Sequence, residues 1–126
     1  MNLLTPDLLA RLHANAEAHR ATQSVSALEP DPVPILKLFS PVGAATWVAT
    51  EIDRDGDTLF GLADLGFGCP DLGSFSLAEI AAVRLPFGLR IERDLDFASD
   101  QPLSRWADLA RSHGSIIAAE RLLRSG

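Results

Sequence analysis

The chain holds one cysteine, one lysine and three histidines among 126 residues, and each scarcity removes a class of function. Cys69 has no partner for an internal disulfide, and a lone thiol cannot build a multi-cysteine zinc site. His13, His19 and His113 lack the H-x-x-x-H spacing, with a glutamate between, of a helical zinc centre. Lys37 and ten scattered arginines stand against seventeen acids, for a net charge of −6. A module that grips phosphates needs a basic patch, so direct nucleic-acid binding is not expected. No apolar run approaches the ~20 residues a bilayer requires, and no secretory h-region opens the chain. A cytoplasmic protein without a membrane contact is the expectation. Internal repeats and low-complexity tracts are also missing.

The remainder describes an ordinary globular chain, 47% hydrophobic and 22% charged. Its length suits a single domain over residues 1–126 with one real core. The N-terminal Met1-Asn2 leads straight into structure. Thr5 is a good N-cap and Pro6 suits the first helical position. Leu4, Leu8, Leu9, Leu12 and Ala16 then give a helical stripe to about residue 19. His13 and His19 fall in this helix and share a face with no third ligand. Residues 20–34, with three prolines, read as a connecting loop, and Val33 to Phe39 as a short buried strand.

Ala45–Asp53 and Thr58–Leu65 are two β-rich runs around Arg54-Asp55-Gly56-Asp57, a strong hairpin signal. A glycine-rich loop over 66–73 leads to a strand near Leu72–Phe75. Ser76 with Glu79 forms a capping box for a short helix to about Arg84. Leu89–Arg93 reads as another strand, and two helices follow, over Pro102–Ser112 and Ile116–Leu123. Gly114 is placed to end the first of these and Ser115 to cap the second. The order predicts an α+β domain: a mainly antiparallel sheet of four to five strands with helices packed on one side.

The motifs for chemistry are incomplete. Asp53-Arg54-Asp55-Gly56-Asp57 starts like a calcium loop, but its glycine comes at the fourth position instead of the sixth. Gly66-Phe67-Gly68 with Gly73 misses the spacing of a dinucleotide fingerprint, and no Walker lysine follows. Cys69 lacks a base at any telling distance along the chain, and no serine stands in a Gly-x-Ser-x-Gly context. No catalytic residue, resident metal or cofactor is assigned.

What stands out is polar. Six acids, Glu51, Asp53, Asp55, Asp57, Asp64 and Asp71, face only Arg54 over the 51–71 run. Lys37 interrupts an apolar strand and is expected to pair with Glu51 across the sheet. Trp47 shares a predicted strand face with Ala49 and Glu51; open, that face would bind a partner, and closed by a helix, Trp47 would be core.

Leu3-Leu4-Thr5-Pro6, Lys37-Leu38-Phe39, Ala45-Thr46-Trp47, Glu51-x-Asp53, Gly56-Asp57-x-Leu59-Phe60-Gly61-Leu62, Asp64-Leu65-Gly66, Leu72-Gly73 and Glu92-Arg93-Asp94 occur in that order. The set resembles the bacterial family of the domain of unknown function twenty-nine fifty-eight, over nearly the whole chain. That resemblance implies a small single-domain protein of the kind often carried on plasmids and integrative elements, with no activity attached. Two functions follow as expectations. One is a non-catalytic interaction protein using Trp47, Glu51, Asp53, Asp55, Asp57 and Asp64 toward a protein partner, itself a nucleic-acid-binding one. The alternative is a Mg-type hydrolase built on Glu51 and Asp64, with Asp53 as a further ligand. The Ile116–Leu123 helix is a candidate homodimer contact.

Overall fold

The computed structural model describes residues 3–24 and 29–125; the first two residues and the middle of the expected 20–34 loop lie outside it. Its elements are α1 (Pro6–Ser24), β1 (Leu36–Phe39), β2 (Thr46–Ile52), β3 (Thr58–Asp64), β4 (Asp71–Ser76), α2 (Leu77–Ala82), β5 (Glu92–Arg93), α3 (Leu103–His113) and α4 (Ile116–Ser125). The strands form one antiparallel sheet in the order β4-β3-β2-β1-β5, so the α+β class holds. Among the described residues, no helix is long and apolar enough to cross a membrane.

Local sequence accounts for most element ends. The Thr5 hydroxyl accepts from the Leu8 amide at 3.2 Å, and Ser76 accepts from the Glu79 amide in the same way. Gly114 closes α3 in the left-handed region at φ 81, where a side chain would be strained. Helix α1 runs five residues past its expected end, because Arg20-Ala21-Thr22-Gln23-Ser24 contains no breaker. Strands β1 and β5 are shorter than expected. Pro32 and Pro34 cannot donate to a ladder, so pairing in β1 begins only beyond them.

The expectation of helices on one side of the sheet is corrected: both faces are covered. Helix α1 packs on one face, where Leu12 joins Leu36, Leu38, Trp47, Ala49, Ile52 and Leu59, with Ile80 of α2. Helices α3 and α4 close the other, with Trp106, Ala110, Ile116 and Ala119 against Val48 and Leu62. Period-two geometry sends Trp47 and Ala49 one way and Val48 the other, so β2 needs cover on both sides. Five consecutive residues of β2, Thr46 to Thr50, are accordingly buried.

Candidate functional site

The acids of the 51–71 run prove to be working parts of the fold. Asp55 accepts hydrogen bonds from the Asp57 amide at 2.8 Å, the Thr58 amide at 2.9 Å and the Thr58 hydroxyl at 2.6 Å. These bonds, the Thr58 hydroxyl foremost, hold its carboxyl below the usual range. Asp57 accepts from the Ser76 hydroxyl and the Ala78 amide, both at 2.7 Å, and so fastens the hairpin to the first turn of α2. Asp53 accepts from the Arg54 amide and lies 3.4 Å from Arg20. Asp64 is wholly buried on β3 and accepts from the Gly66 and Ile116 amides. Asp71 pairs with Arg111 of α3.

Two expected arrangements need correction. Lys37 does not meet Glu51. Its ammonium lies 2.6 Å from Glu120 of α4 and 3.5 Å from Asp94, and sits over the Phe39 ring. The register explains this: Lys37 stands opposite Val48, on the face that α3 and α4 cover, whereas Glu51 follows a bulge between Ala49 and Glu51 and meets α1. Trp47 is core, because α1 closes its face. Nor do Glu51 and Asp64 share a site. Glu51 pairs with Phe60 and Asp64 with Thr46, which puts them about 14 Å apart along the ladder. A hydrolase using both on one Mg²⁺ is therefore not what these residues build. Among the described residues no three His, Cys, Asp or Glu side chains gather as ligands for a metal ion.

What the structure does assemble around Glu51 is an imidazole between two carboxylates. His19 Nδ1 lies 3.2 Å from both Glu51 oxygens, and Nε2 lies 3.3 Å from Glu29, out of line for a hydrogen bond. The carboxylates sit on opposite edges of the ring, so they cannot converge on one ion. Arg20, Glu17, Asp53 and Arg54 form an ion-pair network beside it. A shallow cleft of about 210 Å³ includes His19, Arg20, Glu51, Asp53 and Phe60 in its walls. No local spacing ties His19 to Glu51: the two are 32 residues apart and meet only because α1 packs on β2.

Glu29 foremost, and Glu51 behind it, raise the His19 pKa above its ordinary value, while burial works against them. A pKa raised on folding means stability that is fully present below the unfolded value of about 6.5 and lost as pH rises through the folded one. Urea midpoints of the wild type are thus expected to fall between pH of about 6 and about 9. His19→Gln should flatten that slope; an unchanged slope in the variant would remove His19 as its source.

The least ordinary surface lies at the sheet end formed by the β1–β2 turn and the β3–β4 loop. Phe67 is 83% exposed and Leu65 59%, with Val42 also outside. The two loops touch, since a Cβ on Gly66 would lie 3.4 Å from that of Ala44. Asp64 shapes the second loop by accepting from the amide of Gly66, itself at φ 91. Beside it opens an apolar hollow of about 290 Å³ bounded by Leu65, Phe67, Leu72 and Phe75, and the exposed thiol of Cys69 stands at its rim. The sequence presented this stretch as an incomplete phosphate cradle; its hydrophobic content was the better signal.

No curated protein and no solved structure matches the chain. The family model described as Protein of unknown function (DUF2958) matches residues 3–117 of the 126, and the chain belongs to that family.

Proposed function

We propose that the protein is a non-catalytic interaction factor, an accessory of mobile genetic elements, that meets a protein partner through the Phe67 end of its sheet. The exposure of Phe67 carries this reading. A large apolar side chain in water gains nothing for the fold, and here it stands with Leu65 and Val42 over two touching loops. The polar groups support it from the other direction, because each carboxylate singled out in the sequence is engaged within the chain. An acidic face offered to a nucleic-acid-binding partner draws less support. Asp55 and Asp57 are bound into the turn and the α2 cap, and Asp53 and Glu17 lie against Arg20. A homodimer through Ile116–Leu123 would rest mainly on Ile117 and Leu122, because Ile116 and Ala119 are buried against α3.

Cys69 supplies the test. It is the chain's only cysteine and lies two residues from Phe67. A photo-crosslinker attached there should join the protein to one discrete host protein in native lysate. Leu65→Ser with Phe67→Ser removes mostly exposed atoms, so the melting temperature should change little while the adduct disappears. An adduct that survives this pair, or none from the wild type, overturns the reading.

A further inference from the structure

A second surface, independent of the Phe67 end, lies along the connection from α2 to β5. The largest cleft among those described, about 710 Å³, is lined there by Leu3, Ala81, Leu89, Ile91 and Leu95 with Arg90 and Arg93. Leu95 is 79% exposed. Gly88 and Leu89 of the cleft wall belong to the tight turn Pro86-Phe87-Gly88-Leu89, in which the Leu89 amide donates to the Pro86 carbonyl. Phe87 and Gly88 both have positive φ, 64 and 73, as in the mirror-image turn that favours asparagine, aspartate or glycine. Phe87 is the only non-glycine residue with positive φ among those described, and it is 93% exposed. For folding alone phenylalanine is a poor choice there on two counts, a strained backbone and an unburied ring.

Charge points to what covers it. Arg11, Arg20, Lys37, Arg54, Arg111 and Arg124 each pair with a carboxylate. Arg84, Arg90, Arg93 and Arg105 pair with none among the described residues, although the chain has six more acids than bases, and the first three follow one another along the stretch from α2 through β5. Arg90 and Arg93 each donate to a backbone carbonyl, of Ala81 and Leu3, which fixes them at the cleft and leaves further N–H groups on each guanidinium. Glu92 is the opposing charge on the lining, and Asp94 is already held by Lys37. We propose that the cleft binds an acidic, apolar segment of another protein, with Phe87 and Leu95 gripping an apolar side chain and Arg84, Arg90 and Arg93 receiving carboxylates. The same arginines do not suit a nucleic acid, because Glu92, Asp96 and a net charge of −6 repel a long polyanion.

The test begins with a displayed library of random short peptides selected on the immobilised full chain. The expected winners combine Asp or Glu with Leu, Phe or Trp, and their affinity falls with added salt. In fluorescence polarisation with the best peptide, Phe87→Gly should weaken binding at least tenfold yet melt no lower than wild type. Arg84→Glu with Arg90→Glu should weaken it as strongly, and Arg105→Glu, on α3, should leave it unchanged. No enrichment, basic winners, peptides indifferent to Phe87→Gly, or displacement by duplex DNA would each overturn the proposal. None of these outcomes touches the Cys69 crosslinking result, so the two surfaces stand or fall separately.

Discussion

Gly61→Ala is expected to destabilise the protein by at least about 3 kcal/mol, an overpacking cost at the upper end of its usual range. A Cβ at Gly61 would lie 2.0 Å from the Val48 carbonyl oxygen and 2.8 Å from the Ala49 Cα. Both are backbone atoms of β2, next to the bulge, and cannot rotate aside as a side chain would. The two central strands would have to separate where Val48 and Leu62 pair, and where the cores on both faces meet the sheet. Gly73, directly across on β4, is the control. Nothing lies within 4 Å of its Cβ position, so Gly73→Ala should be neutral or stabilise by about 0.5 kcal/mol, through a less flexible unfolded chain. Urea denaturation of the two variants side by side decides the matter. Equal midpoints would mean that the β2–β3 approach is wider than the structure places it.

The same contrast shows what the sequence carried and what it withheld. The hairpin at Asp55-Gly56, the Ser76 cap and the Gly114 stop rest on bonds between residues within a few positions, and all three were legible. The placement of helices on both faces rests on long-range packing, yet one clue was present. Trp47, Val48 and Ala49 are apolar on both parities, the pattern of a strand buried on two sides. The polar partners were less accessible. Lys37 reaches Glu120 across 83 residues, and spacing cannot choose among seventeen acids. Glu51 was the nearer candidate, but Lys37 stands opposite Val48, three residues short of Glu51, and on the face that α3 and α4 cover. For the surfaces, the exposed aromatics were visible as residue types, but exposure itself belongs to tertiary structure. Phe67 and Phe87 read no differently from Phe75, which packs against the α1-side core.

Asp64 gives the second large effect, and it separates a structural carboxylate from a functional one. It lies fully buried at the end of β3, where its Oδ1 accepts from the Gly66 amide at 2.8 Å and its Oδ2 from the Ile116 amide at 2.9 Å. The first bond shapes the Phe67 loop. The second supplies an acceptor, and a negative charge, to the start of α4, where the Ser115 hydroxyl accepts from the Ala118 amide. Burying a carboxylate is costly, and two charge-assisted hydrogen bonds with the helix dipole are what offset that cost here. Asp64→Ala removes both acceptors at once, leaving the buried Ile116 amide unpaired and the exposed Gly66 amide to water, for an expected loss of about 3 kcal/mol. Asp64→Asn keeps one carbonyl oxygen but turns an NH₂ toward the other donor, for about 2 kcal/mol. Hydrogen exchange should localise the damage, with the α4 amides from Ile116 onward losing protection before those of β2 and β3. Partner crosslinking through Cys69 should weaken with Asp64→Ala as well, since the loop that carries Phe67 loses its anchor. If Asp64→Asn were as stable as wild type, its charge would not be what holds α4, and the buried carboxylate would need another explanation.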